Sequence, residues 1–342
     1  APTDLAAVQF SSGSTGHPKP VALSHRNMLS NARTILDLMP MPYREQTGIS
    51  WLPLYHDMGL IGNVVMGLIG PASGTYLRPE AFIARPKLWL QGMSDVKGTL
   101  GVAPNFAFGL CAKRIRDKDL EGLDLSSWKL ALCGAEPIHR ASLEAFADRF
   151  AAIGFRREAI TPVYGLAEAT LAVTFSQFGG GAKWLHFDAE ELELSGHAVV
   201  VPQGGRELCS LGKPISTPEL GGAELQIRDE AGGVVEDERI GNVWIRGQGV
   251  MVGYLDQPEE TAAVMSDGWL NTGDLGFLHE QELFLYGRRK DIIIIRGRNF
   301  DPAVIEQAVD AVELVRTGCS AAVSIADPAN DTERVVVLVE SR

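Results

Sequence analysis

The chain has 342 residues, 45% hydrophobic and 22% charged, enough to bury a sizeable core in one large or two medium domains. Its net charge of −12 excludes a general nucleic-acid or anionic-membrane surface, while leaving room for an anionic ligand in one local cleft. Four cysteines (Cys111, Cys133, Cys209, Cys319) stand far apart with no Cys-x-x-Cys pair, which excludes a disulfide framework and a cysteine zinc site and fits a reducing cytoplasm.

An apolar run at 5–8 reads as a buried strand, followed by Phe10-Ser11-Ser12-Gly13-Ser14-Thr15-Gly16-His17-Pro18-Lys19. Glycines, hydroxyls, exposed N–H groups and a lysine together suit an oxyanion, and the loop is expected between this strand and a helix with Ser24 as N-cap. It is not a Walker A loop, because His17 and Pro18 separate Gly16 from Lys19 and no Ser or Thr follows the lysine. Met28, Leu29, Ala32, Ile35 and Leu36 form one helical stripe.

Strands are expected at 49–52, 74–77, 99–103 and 129–133, with an apolar helix after a capping Asp57. Helices are expected at 85–96, 104–116 and 140–153, with Pro104 in a first turn. This alternation implies a parallel sheet covered on both faces, with ligands at the carboxyl ends of its strands. The apolar stretch at 60–69 contains Asn63 and is too short to span a bilayer, so an integral membrane protein is not expected.

Gly134, in Cys133-Gly134-Ala135-Glu136-Pro137, would let a flat ligand approach the backbone. Tyr164 offers a ring for stacking on a base, and Glu168 a hard oxygen ligand for Mg²⁺ bound to phosphates. From Phe178 to Gly205 the pattern weakens and reads as a solvated surface excursion. Short strands at 224–228, 242–246 and 282–286 suggest a β-rich subdomain. Asp274 follows Gly273 and taken alone would be a turn residue. After a charge run at Arg288-Arg289-Lys290-Asp291 and an apolar strand, Asp301 and Pro302 open a helix with a stripe of Val304, Ile305, Ala308, Val309 and Val312. Strands at 319–325 and 334–339 follow, and both ends of the chain read as cut.

Ser-Ser-Gly-Ser-Thr-Gly-x-Pro-Lys resembles the phosphate loop of adenylate-forming enzymes, the superfamily of acyl-CoA synthetases, luciferases and peptide-synthetase adenylation domains. Tyr164-Gly165-Leu166-Ala167-Glu168, Thr272-Gly273-Asp274 and Gly287-Arg288 are similar to further superfamily motifs, with Ala167 standing where threonine is usual. Residues 241–247 and Val252-Gly253-Tyr254 resemble a structural motif to which no chemistry is assigned. Tyr55-His56-Asp57-Met58-Gly59-Leu60, Tyr-Gly-Leu-Ala-Glu and the 178–205 segment resemble one subgroup, the fatty acyl-AMP ligases.

The resemblance implies an α/β fold. A large adenylate-forming domain (1–289) with helix-covered, mainly parallel sheets and a β-rich subdomain would precede the start of a small α+β C-terminal domain (290–342), hinged at Lys290. It implies ATP and Mg²⁺ as cofactors and activation of a fatty acid to acyl-AMP. Ser11, Ser14, Thr15, Gly16 and Lys19 would hold the phosphates and Glu168 the Mg²⁺. Tyr164, Gly165, Gly134, Ala135, Glu136 and Pro137 would flank the adenine, and Asp274 with Arg288 the ribose. His56, Phe106 and Phe108 would border the acyl group, and Lys19, His56 and Glu168 would serve catalysis. The expected acceptor is the thiol of an acyl carrier protein or of a carrier domain in a polyketide or peptide synthase. An acyl-CoA synthetase and a non-catalytic ATP- or acyl-binding remnant stay open. The superfamily's adenylation lysine would lie beyond residue 342, so this chain alone is expected to form little acyl adenylate.

Overall fold

The computed structural model describes residues 1–11, 18–219, 221–295, 298–327 and 332–341. The chain opens with a hairpin: β1 (Leu5–Ser11) pairs antiparallel with β2 (Lys19–Ser24), Ser11 opposite Lys19. This corrects the expected strand-to-helix loop. The Gly/Ser loop joins two antiparallel strands, because Val21 and Leu23 alternate into the core and are fully buried. Helix α1 (His25–Leu38) starts only after them.

Ser24 is its N-cap. The Asn27 N–H donates to Ser24 Oγ at 3.2 Å and the Ser24 N–H to Asn27 Oδ1 at 2.8 Å, a reciprocal box that satisfies two otherwise orphan donors. Ser24→Ala should lower stability by about 1 kcal/mol in equilibrium denaturation. No loss would mean that the remaining Asn27 bonds, to the Gln248 and Val250 carbonyls, set the helix start unaided.

Five parallel strands come next: β3 (Thr47–Ser50), β4 (Ser73–Tyr76), β5 (Leu100–Ala103), β6 (Leu130–Cys133) and β7 (Ile160–Gly165). With the antiparallel β8 (Ala172–Phe175) and β12 (Lys213–Pro214) they make one sheet in the order β12-β8-β7-β6-β5-β3-β4. Leu130 and Ala131, neighbours on β6, point to opposite faces. Ala131 joins the core under helices α4 (Pro79–Ala84), α5 (Lys87–Asp95), α6 (Asn105–Arg114) and α7 (Arg140–Phe150). Leu130 joins Ala32 and Ile35 of α1, so both faces are covered as expected. On the first face Trp51 stacks on Phe82 at 3.9 Å and Trp89 meets Trp128 edge-on at 5.0 Å. The helix expected at 85–96 is α5 alone, starting after Pro86; α4, which ends before Arg85, was not expected.

The helical stretch after His56 is not uniform. α2 (Asp57–Gly59) and α3 (Met66–Ile69) flank a π-helix at Leu60–Val65. The Asn63 side chain donates to the Met58 carbonyl at 2.7 Å, pairing a group inside this wider winding. The N-cap position is His56, not Asp57 as expected, while the Met58 N–H donates to Asp57 Oδ1 at 2.6 Å.

The segment from 178 to 205 folds, correcting the reading of a solvated excursion. β9 (Trp184–Phe187), β10 (Val200–Val201) and β11 (Arg206–Cys209) form an antiparallel sheet in the order β10-β9-β11, with α8 (Ala189–Leu194) between β9 and β10. Phe187, Leu192 and Ala198 bury themselves against Phe277, Phe284, Tyr286 and Ile292.

A small pair, β13 (Ser216–Thr217) and β14 (Gly221–Gly222), leads into the β-rich half. There β15 (Glu224–Arg228), β16 (Gly241–Arg246), β18 (Met265–Ser266), β19 (Trp269–His279) and β20 (Glu282–Arg288) form an antiparallel sheet. Before β18, β17 (Gly253–Tyr254) pairs with β2 of the opening hairpin, and α9 (Pro258–Val264) comes after it. β21 (Ile293–Ile295) and β22 (Arg298–Phe300) then pair, α10 (Pro302–Asp310) starts at the capping Asp301, and β23 (Val315–Asp327) pairs with β24 (Thr332–Ser341).

Candidate functional site

A cleft of about 600 Å³ lies along the parallel sheet. Its polar wall includes Ser11, Pro18, Ala135, Tyr164, Glu168 and Arg288, near the carboxyl ends of β6 and β7. Its apolar wall includes Ile35, Met39, Met58, Met66, Leu171 and Phe175.

Two clusters organise the polar wall. In the first, cross-strand pairing of β19 with β20 sets Asp274 opposite Arg288. The Tyr164 hydroxyl donates to Asp274 Oδ2 at 2.6 Å and Arg288 Nε donates to Oδ1 at 3.2 Å. Burial pushes the Asp274 carboxyl up, against the pull of the Tyr164 hydrogen bond and of Arg288. The same burial, with Asp274 beside it, pushes Tyr164 far above an ordinary phenol, so its hydroxyl stays a donor. Each Asp274 oxygen keeps one lone-pair direction for a further donor.

In the second cluster, Glu168 Oε1 accepts from the Tyr254 hydroxyl at 3.0 Å and from Ser11 Oγ at 3.4 Å. Among the described residues both bonds fall on one oxygen, which leaves Oε2 for a cation. Lys19 Nζ lies 4.6 Å above the Tyr254 ring, a cation–π contact that holds the lysine beside Glu168. Burial and then Glu168 push the Tyr254 hydroxyl up, again keeping it a donor. Sequence reasoning missed Tyr254. Its signal is the Val252-Gly253-Tyr254 motif, to which no chemistry was assigned, and the docking of β17 on β2 brings it to the site.

Ser14, Thr15 and Gly16 lie outside the described residues. Gly134 has a different reason to be glycine from the one expected: a Cβ there would stand 2.6 Å from the Val163 carbonyl oxygen, so it serves packing of β6 on β7. Ala135 lines the cleft instead, at a left-handed φ of 68° that is costly for a residue with a Cβ. Gly165 is likewise fixed by packing, its Cβ position lying 1.8 Å from the Leu171 carbonyl oxygen. Glu136 accepts from the Phe106 N–H at the start of α6, and burial raises its carboxyl. Neither it nor Pro137 borders the cleft.

The expected acyl contacts need correction too. Phe108 is fully buried between Trp89 and Phe146, a core position, and Phe106 packs edge-on to Trp51; neither lines the cleft. Residues of α1, the π-helix region and β8 form the apolar wall in their place. Lys290 is exposed just past β20.

His56 does line the cleft. Its Nδ1 lies 2.6 Å from Asp57 Oδ1 and 3.3 Å from the Met58 nitrogen, whose N–H has a shorter bond, 2.6 Å, to that same carboxylate. Nδ1 therefore carries its proton toward Asp57, leaving Nε2 as the ring's free nitrogen. The Asp57 hydrogen bond raises the His56 pKa above its ordinary 6.5, with burial opposing. Stability from this pair is complete below pH 6.5 and is lost as pH rises through the raised value. Asp57→Asn should bring the His56 titration midpoint down in an NMR pH series, and an unmoved midpoint would remove Asp57 as the cause.

The family of AMP-binding enzymes matches residues 1–255. The chain belongs to that family. This AMP-binding chain is 38% identical to a putative acyl-CoA synthetase of Caulobacter vibrioides, covering all of the chain and 59% of the relative. It is 36% identical to a long-chain-fatty-acid–AMP ligase of Mycobacterium tuberculosis, covering 98% of the chain and 59% of the relative. A structure from work on fatty acyl-adenylate ligases of E. coli and L. pneumophila matches with a TM-score of 0.91 at 37% identity, covering 100% of this chain and 60% of that one. Another, of the L. pneumophila enzyme in complex with acyl adenylate and pyrophosphate, matches with a TM-score of 0.81 at 37% identity, with the same coverage of 100% and 60%. The AMP-binding chain thus spans about 60% of the length of these relatives. Among its described residues, no helix is long and apolar enough to cross a membrane and no group of three or more His, Cys, Asp or Glu residues could hold a metal. A single carboxylate is the usual protein share for Mg²⁺ shared with phosphates, so the free oxygen of Glu168 fits that ion.

Proposed function

We propose that the protein containing this chain is a cytoplasmic ligase that uses ATP to activate a fatty acid as acyl-AMP, then passes the acyl group to a carrier-protein thiol. The observation that carries this reading is one cleft whose lining joins Glu168, together with Tyr164 and Arg288 braced on Asp274, to a wall of Ile35, Met39, Met66 and Phe175. A fatty-acid oxygen would attack the α-phosphorus in line. The bond to the bridging oxygen breaks and pyrophosphate leaves. Such a step is governed by positioning and charge neutralisation. Asp274, braced by Tyr164 and Arg288, would accept from the ribose hydroxyls. Lys19, with Ser11, would meet the phosphates, and Glu168 would hold Mg²⁺, which would neutralise phosphate charge. His56 would present Nε2 toward the reacting carboxylate.

We further propose two units, 1–289 and 290–342, hinged at Lys290. Arg206 supports the carrier thiol over CoA. It donates to the Tyr286 carbonyl at 2.7 Å, pairs with Asp301 and lies 4.1 Å over the Tyr286 ring, tying β11, which pairs with β9 of the 178–205 segment, to residues on both sides of that hinge. The second reading, acyl-CoA synthesis, is favoured by relatives bearing that name. The test is to incubate the full-length protein with ATP and fatty acid, with and without CoA, and identify products. Acyl-AMP in both arms supports the proposal, acyl-CoA promotes the second reading, and no pyrophosphate release overturns both.

A further inference from the structure

We propose that the cleft selects fatty acids carrying a hydroxyl toward the end remote from the carboxylate, with Gln46 as the residue that reads it. The inference rests on the fatty-acid-activating reading above. Gln46 is 1% exposed, lines the cleft, and has no hydrogen-bond partner at Oε1 among the described residues. Its orientation is fixed. Nε2 donates to the Met41 carbonyl at 3.2 Å, and reversing the amide would set two acceptors against each other. Its backbone is pinned as well, by the Gln46 N–H to Tyr43 carbonyl bond at 3.0 Å and the Ser73 N–H to Gln46 carbonyl bond at 3.2 Å.

Position gives the unpaired oxygen its meaning. Glu168, Tyr164 and Ala135 stand at or beyond the carboxyl ends of the parallel strands. Gln46 immediately precedes β3, and the neighbouring wall residues Ser73 and Leu100 begin β4 and β5. The parallel strands therefore separate Gln46 from the phosphate side by the length of β3, roughly 13 Å at about 3.3 Å per residue. The same lining includes Ile35, Met39, Met66 and Phe175, which suit methylenes and whose side chains offer no strong hydrogen bond. A chain with its carboxylate near His56 would present its far part to Gln46. A plain methyl group there leaves a buried acceptor unpaired, whereas a hydroxyl donates to it. Tyr43, in the turn just before Gln46, lines the same part of the cleft, and burial together with the nearby Tyr76 pushes its hydroxyl up to about 12. It remains a donor that the same substrate hydroxyl can accept.

The experiment compares the full-length enzyme on pairs of medium- and long-chain acids of equal length, unsubstituted and ω-hydroxylated, by pyrophosphate release. At the length that reaches Gln46, the hydroxylated acid should be preferred roughly ten- to hundredfold in kcat/KM, the penalty of a buried acceptor left unpaired. Gln46→Leu should erase or invert that ratio, read as the quotient of the two kcat/KM values of the same variant. Should that variant not fold, the wild-type ratio decides by itself. Equal use of both acids at every length would overturn the inference, showing that solvent serves Gln46. Activation of neither acid would overturn the underlying ligase reading.

Discussion

Asp274→Ala should weaken ATP binding by about 2–5 kcal/mol while leaving pyrophosphate binding nearly intact, because only ATP carries the ribose. Part of that loss is indirect. The substitution strands the buried Tyr164 hydroxyl and removes the partner of Arg288 Nε, so a former brace becomes unpaired polar surface. Asp274→Asn keeps the shape and an acceptor, and should lie between wild type and alanine. Calorimetry with both ligands is the measurement, and equal losses for ATP and pyrophosphate would count against the ribose assignment. pH gives an independent check. With its pKa raised above 3.8, Asp274 keeps its proton longer in the folded than in the unfolded chain. Its contribution to stability therefore falls as pH rises from 3.8 through the raised value and is constant above it. ATP affinity that depends on the ionised carboxylate should climb across the same interval.

Phe187→Ala should cost about 3–5 kcal/mol, a large effect for a segment that reads from sequence as surface. The ring is fully buried, 5.0 Å from Phe277 and 5.4 Å from Phe284. Hydrogen exchange should show 184–209 losing protection before the parallel sheet does. Uniform loss across the chain would mean that the segment is not a separate cooperative unit. The same packing rules out simple deletion of 183–205 as a probe of CoA access, since it would uncover Phe277 and Phe284 and invite aggregation. Arg206→Ala loosens the tie to Asp301 and Tyr286 without emptying a core, and is the sounder variant for that question.

Much of the α/β half was legible because its elements are long and their periods unambiguous. The strands at 100–103 and 130–133 and the helix at 105–114 lie within two residues of expectation, while the helix expected at 140–153 ends at 150 and passes into a 3₁₀ turn at 151–153. What failed was either short or non-local. β2 is six residues holding a proline, and its pairing with β1 is invisible to a local pattern. β9 is four residues among glycines and acidic groups, and its burial depends on phenylalanines about ninety positions later. In the site, Asp274, Glu168, Tyr164 and Lys19 were picked out by their motifs. Phe108 was misjudged because aromatic residues beside a strand end suit a core as well as a pocket. Gln46 carries no motif and Tyr254 stands in one to which no chemistry was assigned, so tertiary placement alone gives them a role.

The π-helix at Leu60–Val65 makes the shape of the cleft's apolar wall a matter of counting. Such a winding holds one residue more than an ordinary helix of the same span. Excising a single residue there would restore regular winding over the same span and leave the turns on either side in phase. Met66 and Gly67 would keep their place on the cleft, while the lining at Gly62 and Asn63 would be redrawn. A one-residue change of length in this short stretch is thus one that the fold can absorb while it reshapes the wall locally.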